Sequence, residues 1–413
     1  MTTFAHVHGR TFRALHEHRN YRLFFTGQII SVAGSWMQNI ALAWLVIELS
    51  GSPLAVGALA FCRFLPFTVL GLVGGVLVDR LDTRRVVIAT QAAAMAVSIA
   101  LAAVTLLGAA SLPVVYALAA LGGVTLALDA PGRQTLTFQM VGPRELPNAV
   151  ALNSGLFNAS RVIGPALAGV LIAAVGTGLC FVVNAFSFLA VLIALTRIRQ
   201  NELMAVERDS SLGVVDGIRE GVRWALASPR TRVVLTVVTI LSAVGFNFHV
   251  LVPLLASDTL EVGAETFGLL SAVFGAGAVV GALATASLRT VTVRTFLWGT
   301  LGFGVLLLML AGVRSVALAM AVLFALGLCF TLFTASANAL VQLAAPDRLR
   351  GRVVSLYLFA FAGLTPIGGL VAGLLAEVGG TPLAFAVSGV VGVAAAVWAA
   401  FSLRGAAGRT SEA

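Results

Sequence analysis

Apolar residues run along this chain in long blocks rather than as isolated stripes. Six blocks lie at about 23–48, 53–78, 86–108, 112–131, 148–175 and 178–196, and a polar interruption follows at 197–232. Six more lie at about 233–257, 264–288, 293–313, 315–341, 353–377 and 380–403. The hydrocarbon core of a bilayer is crossed by about 20 apolar residues in helical form. The pattern therefore predicts an all-α integral membrane protein with twelve transmembrane spans, numbered here 1 to 12 in chain order. Five segments follow: a basic N-terminal arm (1–22), a six-helix bundle (23–196), a central loop (197–232), a second six-helix bundle (233–403) and a short tail (404–413).

Composition agrees. Charged residues make up 10% of the 413 and hydrophobic residues 59%, and the mean hydropathy is +1.01. A soluble chain carries about a quarter charged residues. The deficit removes the surface such a chain would show to water.

The net charge of +9 does not mark a nucleic-acid surface, because its placement follows topology. All 26 basic residues are Arg, and 23 of them fall in one set of alternate loops and the termini. The opposite loops hold only Arg314, with Glu48, Asp258, Glu261 and Glu265, while Arg63 and Arg161 lie within spans. The positive-inside rule then places both termini and the central loop in the cytoplasm, with the protein in a bacterial inner (plasma) membrane. The apolar block after the Arg-rich start is too long for a signal peptide, so span 1 is expected to stay. Cys62, Cys180 and Cys329 lie in apolar runs at no metal or redox spacing and read as buried hydrophobes.

Leu212, Val215, Ile218, Val222 and Trp224 recur at helical spacing in the central loop. They predict an amphipathic helix at the cytoplasmic interface, which serves equally well as a tether or as a regulatory element.

The halves repeat. Gln139 to Leu146 after span 4 matches Gln342 to Leu349 after span 10 at an offset of 203 residues, with Pro143 opposite Pro346. Gly164-Pro165 in span 5 is echoed by Thr365-Pro366 in span 11. Duplicated bundles are a transporter architecture, in which the substrate sits between the halves and access alternates.

The loop after span 2 carries Gly75, Asp79, Arg80, Asp82, Arg84 and Arg85. A packed Gly, an Asp and an Arg cluster between spans 2 and 3 resemble the signature of the major facilitator superfamily, over essentially the whole chain. The copy after span 8 keeps Arg289 and Arg294 but has lost the acid. The resemblance implies a gating latch: Asp79 would meet the N-terminal end of span 11, an attraction the helix dipole favours. Arg84 would pair with an acid at the inner end of span 4, for which Asp129 is the candidate. In span 5, Gly155, Gly164, Pro165 and Gly169 resemble the antiporter motif of exporters, with Ala168 where a second Gly is usual. Asn20-Tyr-Arg-Leu-Phe-Phe, Leu128 to Arg133 and Asp347 to Arg352 are similar to the drug–proton antiporter branch that includes the enterobactin exporter and macrolide-efflux-like permeases.

Polar residues inside spans are costly and face a cavity or a partner. Ser154, Asn158, Arg161 and Pro165 share one helix face. Arg161 reads either as a cavity residue for an anionic substrate or as a structural Arg bonded to carbonyls. Arg63 in span 2 reads as structural. Span 1 offers Ser35, Gln38 and Asn39, span 7 Asn247 and His249, and span 10 Thr334 and Asn338. The resemblance places these three spans on the substrate cavity, with Trp36, Trp44, Phe246 and Phe248 as apolar contacts. Candidate proton carriers are His249, Glu48 and Asp129. His6, His8, His16 and His18 read as a solvated arm rather than a metal site, and no cofactor is expected.

The resulting expectation is an efflux transporter for a hydrophobic or amphipathic small molecule (a drug, antibiotic or siderophore), coupled to protons. Its partners are the substrate, protons and lipid, with no nucleic acid, and a monomer is expected. An uptake symporter, a lysolipid flippase or a non-transporting membrane sensor are the alternatives. No nucleophile–base set points to an enzyme.

Overall fold

The computed structural model describes the backbone of residues 12–205, 214–288 and 290–409, with the side chains of all but 72–80, 214–218, 347 and 404–409. Every element among them is helical. Lipid offers no partner for a free N–H or C=O, so a crossing segment must satisfy its own backbone.

The chain forms two compact units, Met1–Leu49 with Cys62–Arg208, and Ser50–Phe61 with Asp209–Ala413. The first contains α1 (Arg13–Glu17), α2 (Arg19–Ser50), most of α3 (Pro53–Arg80), α4 (Thr83–Leu106), α5 (Leu112–Val175) and α6 (Thr177–Thr196). The second contains α7 (Val214–Ala227), α8 (Pro229–Val244), α9 (Phe248–Leu254), α10 (Ala264–Ser287), α11 (Val293–Gly312), α12 (Val316–Ala344), α13 (Arg350–Ala362) and α14 (Thr365–Arg409), and the first turns of α3 pack with it.

Among the described residues, nine helical stretches are long and apolar enough to cross a membrane. Two of these are too long for one crossing. The 64 residues of α5 would span about 96 Å at 1.5 Å per residue, against a core of about 30 Å. The helix breaks at Gly142, whose φ of 69° is natural only to glycine. Pro143 follows and disfavours helical backbone at the residue before it. A Cβ at Gly142 would also lie 2.6 Å from the Met204 sulfur, and the Met204 N–H donates to the Gln139 carbonyl at 2.8 Å. The strand of chain after α6 thus seats in the break. The same grammar, Gly379-Gly380 before Pro382, breaks α14. Span 7 is split at Gly245–Asn247 into α8 and α9. With these divisions the architecture is compatible with twelve crossings.

Two sequence boundaries are corrected. Span 4 does not end near 131; the helix continues through Val141, which brings Arg133 out of the expected loop and onto the helix. Nor is 13–22 a free arm. Tyr21 is fully buried and its hydroxyl donates to the Ala149 carbonyl at 3.0 Å. Asn20 exchanges two hydrogen bonds with the backbone of Arg199, and Arg13 reaches Glu145 at 3.2 Å. His16 is exposed and His18 half-buried, while His6 and His8 lie outside the described residues.

In the second unit, α7 meets α8 at a bend of 108°. Glu220 of α7 accepts from Arg348 at 2.8 Å and from Arg352 of α13. Burial pushes the Glu220 carboxyl up, but the two guanidinium hydrogen bonds outweigh it and hold the group below its ordinary value.

Candidate functional site: a polar pocket inside the first unit

Helices α2 to α6 line a partly open pocket of about 100 Å³ in the first unit. Ser35, Gln38 and Asn39 reach it from α2, Thr90 and Gln91 from α4, and Asp129 from α5. Apolar residues such as Leu101 and Phe188 complete the wall.

Asp129 anchors one side. It is almost fully buried and accepts from Thr90 Oγ1 at 2.9 Å, from Gln91 Nε2 at 2.8 Å and from Arg133 Nε one turn along its own helix. Arg133 continues to Gln28 Oε1 at 2.6 Å. A carboxylate taken out of water must find such donors or lose its charge. On the other side, Gln38 Oε1 accepts from Ser98 Oγ and Asn184 Nδ2, both at 2.7 Å, tying α2 to α4 and α6. Asn39 Oδ1 and Gln91 Oε1 are buried without a hydrogen-bond partner.

Ser35, Gln38, Asn39 and Asp129, assigned from sequence to two different tasks, therefore meet around one pocket. The other assigned residues do not join them. The expected Arg84–Asp129 pair is absent: Arg84 donates instead to the carbonyls of Leu195 and Thr196 at 2.8 and 3.1 Å. These are the last carbonyls of α6, at the helix end whose dipole attracts a cation. Arg85 is exposed beside Asp82. The side chains of Asp79 and Arg80, and Gly75, lie outside the described residues.

Gly164 marks where the second limb of α5 crosses α2. A Cβ there would lie 2.5 Å from that of Trp36 and 2.8 Å from the Ala33 carbonyl oxygen. Pro165 and Gly169 are buried beside it, whereas a Cβ on Gly155 would meet nothing within 4 Å. Arg161 lies over the Trp36 ring at 6.0 Å, and Asn158 turns back to the Ser154 carbonyl at 2.9 Å.

In the second unit, Asn247 is buried at the α8–α9 break, and among the described residues neither of its side-chain amide atoms has a hydrogen-bond partner. His249 is exposed on the next turn. Thr334 Oγ1 donates to the Phe330 carbonyl at 2.9 Å, and Asn338 Oδ1 accepts from Gln342 at 2.9 Å. Phe246, expected as an apolar substrate contact, is instead buried among Phe303, Phe330, Phe333 and Phe361, with ring centroids 5.2–5.8 Å away. It is core. Glu48 is exposed at the end of α2.

Sequence reasoning missed Thr90, Gln91 and Gln28 as Asp129 and Arg133 partners. The usable signal was the i, i+4 spacing of Asp129 and Arg133, which only a continuous helix turns into a pair.

The class of protein follows from this build: a multi-pass helical membrane protein with polar groups buried at depth in each of two units. Solved transporters share the fold. The nucleoside transporter NupG matches with a TM-score of 0.76 at 12% identity, over 93% of this chain and 99% of that one. A bacterial homologue of the iron transporter ferroportin in its inward-facing state matches at 0.70 and 18%, over 93% and 97%. The family model described as "Transmembrane secretion effector", a family of major facilitator superfamily transporters, matches residues 11–410, and the chain belongs to that family. It is a membrane transporter. Curated relatives include the staphyloferrin A transporter of Staphylococcus aureus, 24% identical over 86% of this chain and 89% of that protein. The multidrug efflux pump Tap of Mycolicibacterium fortuitum is 27% identical over 84% and 86%.

Proposed function

We propose that this transporter exports a hydrophobic or amphipathic small molecule from a bacterial cell in exchange for protons. It would lie in the inner membrane with both termini cytoplasmic, and would work by alternating access between the two units. Relatives named as a multidrug efflux pump and a siderophore transporter support the direction and the substrate class.

The observation that carries proton coupling is the buried Asp129–Arg133 pair on the polar pocket. An ionisable group at membrane depth is expensive and marks a relay or a ligand site. Protonating Asp129 would cancel its charge, loosen Arg133 and change what the pocket attracts. His249 and Glu48 are both exposed, whereas Asp129 is buried, and they rank behind it. Asp79, near the end of α3, would serve the cytoplasmic latch.

Proteoliposomes with an internal pH dye, challenged with a panel of amphipathic drugs, test the proposal. Substrate-dependent proton movement should appear in the wild type, persist in His249→Ala and Glu48→Gln, and vanish in Asp129→Asn. Undiminished proton movement in Asp129→Asn would remove that residue from coupling. Accumulation of the compound inside cells expressing the protein would reverse the direction.

A further inference from the structure

Among the described residues, Arg63 lines the polar pocket without an ion-pair partner. It sits near the middle of α3, its backbone pinned where α5 crosses: a Cβ on Gly123 would lie 2.0 Å from the Arg63 carbonyl oxygen. Its side chain lines the polar pocket. Among the described residues no carboxylate is within ion-pair reach of it and no acceptor is hydrogen-bonded to it; its guanidinium rests over the neighbouring Phe64 ring, 5.7 Å from the centroid.

The charged side chains lining the pocket are Arg63, Asp129 and Arg133. Asp129 and Arg133 cancel each other in their ion pair, so the lining carries one net positive charge. A guanidinium only partly open to solvent and without a counter-charge is costly. Guanidinium groups satisfy that cost best with an oxyanion or a small anion. The same pocket is lined by the side-chain amides of Gln38 and Asn39, whereas the Ser35 and Thr125 hydroxyls already donate to the Ser31 and Gly122 carbonyls. Its volume of about 100 Å³ holds a small group, well short of the roughly 300–1,000 Å³ of a drug-sized site.

We infer that this pocket is an anion site in which Arg63 and the surrounding amides hold one small monovalent anion or anionic head group, a carboxylate or a halide. All of the residues that line the site belong to the first unit. It does not depend on the export reading, since binding is measured without transport.

The test uses the full-length protein in detergent, in buffers whose background anions are bulky sulfonates at constant ionic strength. Thermal unfolding is followed by tryptophan fluorescence while acetate, chloride or octanoate is titrated. A ligand that binds only the folded state raises the transition saturably. Wild type should show saturation with acetate or chloride, and Arg63→Gln should weaken the apparent affinity at least tenfold. Asn39→Asp places a fixed carboxylate in the same pocket; it should unfold at a higher temperature without added anion and respond to none. Arg22→Gln, at an exposed arginine outside the pocket, should respond as wild type. Octanoate binding more tightly than acetate would identify the head group of an amphipathic carboxylate as the occupant. Octanoate excluded while chloride binds would identify a free inorganic anion. The inference falls if wild type shows no saturable response to any of the three, or if Arg63→Gln responds like wild type. If Arg63→Gln does not fold, an undiminished response in Asn39→Asp overturns it.

Discussion

Asp129 takes the guanidinium of Arg133 from one turn further along α5, and Arg133 in turn donates to Gln28 of α2 at 2.6 Å. A pair formed along one helix and extended to a second joins two crossing elements at their polar points. It also removes Asp129 from the reach of Arg84, which caps α6.

Breaking that pair from one side should be costly. The Asp129 side chain is 5% exposed and that of Arg133 25%, and leaving one buried charge alone typically costs about 3–5 kcal/mol. Asp129→Asn should therefore shorten the half-life of the detergent-solubilised protein at elevated temperature. The double variant Asp129→Asn/Arg133→Gln should lose less than the two single losses together. Additive losses would show that the pair is not coupled.

Arg84 should behave independently. Arg84→Gln removes a cation from the α6 carbonyls, a loss of about 1 kcal/mol for partly exposed hydrogen bonds. Combined with Asp129→Asn, its effect should add to within about 0.5 kcal/mol. A larger coupling energy would restore the Arg84–Asp129 link expected from sequence.

The glycines of span 5 should separate into two kinds. Gly164→Ala forces a methyl to within 2.5–3.0 Å of α2 atoms, and overpacking of this kind costs about 1–3 kcal/mol. Thermal stability and transport should both fall. Gly155→Ala meets open space and should leave stability unchanged; if transport falls there as well, that glycine acts by flexibility rather than by contact.

The ion pairs of α7 give a pH prediction with a definite sign. The Glu220 carboxyl is lowered in the folded protein. Its contribution is therefore full above the ordinary carboxylate pKa and lost as pH falls through the lower folded value. Spin labels on α7 and α13 should report a constant short distance from neutral pH down past the usual carboxylate range, then separation in more acidic buffer. Glu220→Gln should be separated at every pH.

How much of this was legible follows from particular residues. The apolar blocks, the Arg asymmetry and the offset between Gln139 and Gln342 are properties of the chain itself, and they foretold a duplicated helical membrane protein. Gly142-Pro143 and Gly380 with Pro382 also mark their breaks in sequence, because positive φ and the missing amide are local effects. Pairing was not legible. Arg84 and Arg133 are equally good partners for Asp129 on paper, and Phe246 reads as well for a cavity wall as for a core.

Lipid solubility and helix formation are summed residue by residue, so the sequence alone determined that the chain crosses a membrane many times and which parts of it do so. Which polar groups meet depends on where helices cross and how each is rotated, and that is set by close contacts between segments far apart in the chain. The tertiary structure alone decided that Asp129 belongs to Arg133, that Ser35, Gln38 and Asn39 share its pocket, and that Arg63 faces it uncompensated. Charge balance in a low-dielectric interior is a property of neighbours in space, and the chain order does not contain it.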